Sequence, residues 1–112
     1  MNNKLTDLLQ DSSGTPGALP VTRVMLVDDA PKFIAGMQSA LASSPDLTCI
    51  GTAHTVATAR LQVERLAPDV VVVDMELGGH PLAGVAVIAH VREVLPDCEP
   101  LAVTVFDDIS MV

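Results

Sequence analysis

At 112 residues, the chain has room for one domain. Its formal net charge of -8, from 14 acids against 6 bases, argues against the basic stripe that a nucleic-acid surface needs. Apolar residues make up 49% and aromatics only 2%, so the core must be aliphatic, and no run approaches the roughly 18 apolar residues of a membrane span.

Residues 1–20 read as an N-terminal extension and linker. Leu5, Leu8 and Leu9 fall at helical spacing, and the stretch that follows, DSSGTPGALP, is rich in Gly, Pro and Ser. The extension lacks the apolar centre of a signal peptide, which makes a reducing cytoplasm the expected location. Cys49 and Cys98 have no metal-ligand spacing and are expected as free thiols, Cys49 buried in an apolar run. The folded domain is expected over residues 21–112.

A first strand is expected over residues 22–27. Asp29 is placed to cap the helix that follows, and Pro31 suits its first turn, so that helix runs over 31–43. Ser43-Ser44-Pro45-Asp46 breaks it. A second strand covers 47–53. Thr55 caps a second helix over 56–67, which Pro68-Asp69 ends. A third strand covers 70–74 and leads into a Gly- and Pro-rich loop. The third helix covers 84–95, and its breaker is Pro96-Asp97-Cys98-Glu99-Pro100. A fourth strand over 101–106 closes on Asp107-Asp108, expected as helix caps and solvated loop acids. Strands alternating with helices argue an α/β fold with a parallel sheet.

Two of these strands carry the chemistry. Val24-Met25-Leu26-Val27 runs into Asp28-Asp29, and Val70-Val71-Val72-Val73 runs into Asp74. A short apolar run of β-formers reads as a strand buried on both faces of a parallel sheet. In such sheets ligands bind beyond the carboxyl ends of the strands. Two such strands side by side bring three carboxylates into one crevice. Like charges that close repel unless a cation lies among them, so a divalent metal is expected. No nucleotide-binding glycine motif is present, and no Ser/His/Asp grouping supports a hydrolase triad. His54 is expected as a loop or cap residue, and His90 as a solvent-facing one.

Three segments in register, VMLVDD (24–29), VVVVD (70–74) and LAVTVFDD (101–108), resemble response-regulator receiver domains of the NarL/LuxR type. The resemblance implies a flavodoxin-like (CheY-like) doubly wound sheet. It implies Asp74 as phosphoacceptor, with Mg²⁺ held by Asp28, Asp29, Asp74 and the backbone carbonyl of Glu76. Thr104 is implied to contact the phosphoryl group, and His80, in the glycine loop, lies near enough to be weighed beside it. A sensor histidine kinase or phosphotransfer protein is the implied partner, with no enzymatic turnover beyond the domain's own phosphotransfer. Direct contact with nucleic acid or membrane is not expected.

The sequence departs from the family pattern at two places. Gly78 stands where the loop after Asp74 normally has Pro, and the helix-opening Gly84 comes about two residues late. The chain also holds three βα units and a fourth strand where the family has five units. It is therefore expected to be an incomplete receiver, and no Lys follows Lys32 to supply the family's phosphoryl-pairing lysine. Four or five apolar side chains left uncovered would forfeit roughly 1.5–3 kcal/mol each. A homodimer covering the exposed sheet edge is the expected remedy. A phosphate-independent dimerisation or kinase-titrating module is the alternative reading. A haloacid-dehalogenase-type phosphohydrolase, prompted by Asp74-Met75-Glu76, is a third.

Overall fold

The computed structural model describes residues 20–103. The elements alternate as expected. They are β1 (Thr22–Val27), α1 (Pro31–Ala42), β2 (Leu47–Ala53), α2 (Val56–Leu66), β3 (Val70–Asp74), a 3₁₀ turn (Leu77–Gly79), α3 (Ala83–Val94) and β4 (Glu99–Val103). The strands form one parallel sheet in the order β2-β1-β3-β4. The chain first steps outward from β1 to β2, then crosses back to β3 on the other side. That reversal opens a crevice between the carboxyl ends of β1 and β3.

Alternation along each strand divides the core in two. Met25, Val27, Val71 and Val73 face one side, where Ala59 and Val63 of α2 and Val87 and Val91 of α3 cover them. Val24, Leu26 and Val72 face the other, against Ile34 and Leu41 of α1. Among the described residues, two helices cover one face and one the other, and the outer part of the second face is thinly covered. Leu101, paired with Val72, is 48% exposed there.

Local chemistry explains most boundaries. Pro31 opens α1 as expected, but the N-cap is Ala30 rather than Asp29, with no side-chain cap bond. The N–H of Ala30 is taken instead by the Asp28 carboxylate, at 2.8 Å. Thr55 does cap α2: its Oγ1 accepts the Thr58 N–H at 3.1 Å, and Thr58 Oγ1 accepts the Thr55 N–H at 3.3 Å, closing a capping box. The helix ends on Ala67, whose φ of 47° is left-handed. The Arg23 guanidinium donates to the carbonyls of Ala67 and Leu66, each at 2.7 Å, satisfying two orphan acceptors of that end.

β4 begins at Glu99, two residues before the expected start, and runs through Pro100. Glu99 N–H donates to Asp69 O at 2.9 Å, toward β3. Alternation then turns the Pro100 nitrogen away from β3, where no donor is needed. A proline is tolerated in an edge strand for that reason. The tail of the expected fourth strand, 104–106, and Asp107-Asp108 lie outside the described residues. So do Leu5, Leu8 and Leu9. No helix among the described residues is long and apolar enough to cross a membrane.

Candidate functional site

β1 and β3 lie side by side with Val27 opposite Val73, so the residues that follow, Asp28 and Asp74, leave the sheet together. One carboxylate oxygen from each of Asp28, Asp29 and Asp74 lies within 4.8 Å of the others. Asp28 is buried at 3% exposure, Asp74 is half-buried and Asp29 is exposed. The pocket is therefore a buried acid with an open rim.

Asp28 is held at three points. Its N–H donates to Ala53 O at 3.0 Å. Its Oδ1 accepts the Ala30 N–H, and its carbonyl lies 2.9 Å from Nδ1 of His54. Burial pushes its carboxyl above the ordinary range. The Ala30 N–H partly opposes the rise, and the negative charges of Asp74 and Asp29 add to it.

Asp74 ends β3. Its Oδ1 accepts the Glu76 N–H at 3.0 Å, and the Met75 N–H donates to Val103 O at 3.0 Å. Behind it, α3 approaches without a side chain in the way. A Cβ on Gly84 would fall 2.6 Å from Met75 Cα and 2.7 Å from Asp74 O. The late glycine of the loop thus lets the helix seat directly against the end of β3. Gly78, with φ 64°, and Gly79, with φ 79°, carry the extra loop residues through left-handed backbone.

The pocket fits a hard dication. Its donors are all carboxylate oxygens, the ligands Mg²⁺ and Ca²⁺ prefer. A nearby dication would also relieve the charge crowding that raises Asp28. The Glu76 side chain is exposed, and its carbonyl accepts the Gly79 N–H at 2.8 Å; a carbonyl has a second lone pair to offer. Thr104 lies outside the described residues.

One histidine differs from expectation. His90 is not solvent-facing. Its side chain is 9% exposed, with Nε2 2.9 Å from Glu64 Oε2 across the α2–α3 contact, although the alignment falls short of a hydrogen bond. His54 lies, as expected, in the loop just before the α2 cap, and its ring also contacts the backbone carbonyl of Asp28. Its position directly after β2, the strand beside β1, is the signal in the sequence that points there. His80 is exposed beyond the 3₁₀ turn and takes no place in the acid cluster. Cys49 and Cys98 are free thiols, and it is Cys98 that is buried, while Cys49 is only partly so.

The family model for the response regulator receiver domain matches residues 24–112. The chain belongs to the receiver domain family. The receiver fold is also that of solved relatives. The receiver domain of a putative NarL response regulator from Mycobacterium tuberculosis aligns at 29% identity with a TM-score of 0.69, covering 83% of this chain and 73% of that one. The response regulator domain of Thermotoga maritima CheB aligns at 25% identity and TM-score 0.67, covering 75% and 60%. A curated relative, a protein-glutamate methylesterase/protein-glutamine glutaminase from Methanospirillum hungatei, is 36% identical over 74 residues. That match spans 66% of this chain but only 21% of the relative. The likeness therefore concerns a receiver of a two-component system and not the methylesterase as a whole. The haloacid-dehalogenase reading gives way to it.

Proposed function

We propose that this receiver is a phosphoacceptor, with Asp74 taking a phosphoryl group from a phosphohistidine of a sensor kinase or phosphotransfer protein. The observation that carries this reading is the convergence of Asp28, Asp29 and Asp74 within 4.8 Å at the strand ends. It favours a phosphate-dependent role over a phosphate-independent module, which would have no use for so crowded a set of charges.

Asp74 Oδ1 is engaged by the Glu76 N–H, while Oδ2 accepts no hydrogen bond among the described residues. Oδ2 is therefore the attacking oxygen. It forms the new O–P bond as the N–P bond to the donor imidazole breaks, and the electron pair returns to the ring nitrogen. Asp28, Asp29, Asp74 and the Glu76 carbonyl would hold Mg²⁺. Bound there, Mg²⁺ supplies positive charge against the phosphoryl oxygens. Thr104, the residue after β4, would contact the transferred group. The two free thiols suit a reducing cytoplasm. Among the described residues β4 has no neighbour on its outer side, and this, with the exposed Leu101, supports a homodimer built there.

Incubation with Mg²⁺ and acetyl phosphate, followed by intact mass, is expected to show one added phosphoryl group. Asp74→Asn and chelation of Mg²⁺ should each abolish it. A folded wild-type protein that gains no phosphoryl group under these conditions refutes the reading.

A further inference from the structure

The end of β2 meets the backbone of Asp28 twice. Ala53 accepts the Asp28 N–H at 3.0 Å, and the next residue, His54, places Nδ1 2.9 Å from the Asp28 carbonyl. A carbonyl only accepts, so Nδ1 must carry the hydrogen. Among the described residues that carbonyl has no other hydrogen-bond partner. His54 is itself held in place, because the next residue closes the Thr55–Thr58 capping box.

We propose that His54 is a positioning residue for the acid pair: its Nδ1–H ties the β2–α2 turn to Asp28 and fixes the direction in which Asp28 and Asp29 present their carboxylates to a dication. The inference rests on the Mg²⁺ reading given above and extends it to a residue outside the ligand set. The physical reason is the strictness of Mg²⁺, which demands near-ideal octahedral geometry and tolerates little drift in its ligands. Hydrogen bonds to the groups that carry metal ligands set that geometry. Asp28 follows directly on β1 and precedes Asp29 and Ala30, which lie outside strand and helix alike. A tether on its carbonyl therefore governs the peptide plane leading to Asp29. His54 is exposed, so its contribution to the core is small and its replacement should leave the fold intact.

The test uses the chemistry of the two ring nitrogens. Asn carries its amide nitrogen at the same bond distance from Cβ as imidazole Nδ1, whereas Gln reaches only to the position of Nε2. Mg²⁺ titration by calorimetry of wild type, His54→Ala, His54→Gln and His54→Asn is the experiment, with melting temperature and metal-free ¹⁵N amide spectra recorded beside it. Affinity should fall about tenfold in the Ala and Gln variants, the low end of what losing a group that orients metal ligands costs. The Asn variant should hold near wild type. The amides of Asp28, Asp29 and Ala30 should shift further in the Ala and Gln proteins than in the Asn protein, and the Ala and Gln proteins should melt a few degrees lower, the cost of one hydrogen bond. Equal affinity across all four proteins overturns the role of His54 and leaves the metal site standing. Equal loss in Asn, Gln and Ala overturns the Nδ1 tether. A folded wild type with no Mg²⁺ affinity removes the metal reading itself, and the inference with it.

Discussion

Asp28 is the residue that fits its surroundings least. It is an acid at 3% exposure with two more acids beside it, and its carboxyl titrates above the ordinary range. In the unfolded chain it should lose its proton near pH 3.9. Below that value both states are protonated and the group contributes nothing to the difference. As pH rises through the raised folded value, the unfolded state releases the proton first. Stability therefore falls across that window, and the deficit persists at neutral pH. Asp28→Asn removes the charge but keeps an oxygen for the Ala30 N–H. In chelator it should melt above wild type at pH 7, with the advantage vanishing as the pH falls below the ordinary carboxylate range. In Mg²⁺ the order should reverse, because only wild type gains from binding. Thermal melts at both ends of the range check it. The acids themselves are legible in the sequence, because an apolar run closed by Asp marks the carboxyl end of a buried strand. The Asp28–Ala30 hydrogen bond and the contact of His54 with the Asp28 carbonyl are not. Each depends on where one loop lies against another, and spacing along the chain carries no record of that.

Elements show the same division. The bounds of β1, β2 and β3 follow the sequence pattern because their apolar runs stop at turn residues. β4 starts earlier than the pattern suggests because Pro100 resembles a breaker, and an edge strand has a side on which the missing N–H costs nothing. The apolar stripe of α3 taken alone would turn His90 to solvent. It lies one turn from Val87 and Val94, on the flank of the buried stripe, and α2 covers that flank. Gly84 shows how an element can depend on a single absent atom. A Cβ there collides with the backbone of Asp74 and Met75, which cannot swing aside as a side chain can. Gly84→Ala should lower stability by about 1–3 kcal/mol. It should also slow phosphoryl transfer, since α3 would press on Asp74, the proposed acceptor. Urea unfolding and acetyl phosphate kinetics on one preparation separate the two effects.

For the molecule as a whole, alternating strands and helices make the parallel architecture legible, and the order β2-β1-β3-β4 agrees with the resemblance. The unequal covering of the two faces is a property of the assembled sheet. It leaves Leu101 at 48% exposure on the α1 side, on the strand that has a single neighbour among the described residues. If a second copy covers this surface, Leu101→Lys should shift the protein from dimer to monomer in sedimentation, while a parent that sediments as a monomer at the same concentration rejects the dimer. The substitution lies on the outermost strand, so its cost to folding should stay near the ±0.5 kcal/mol typical of surface changes.

The placing of β1 and β3 has one further consequence. Each has a bonded neighbour on both flanks, whereas β2 and β4 each have a neighbour on only one among the described residues. Loosening by heat or denaturant should begin at the margins and travel inward, so amide protons of the middle pair exchange last. The three carboxylates lie at the carboxyl ends of that middle pair. The proposed site would then rest on the strands that open last, with the two strands at the margins of the described sheet exchanging sooner.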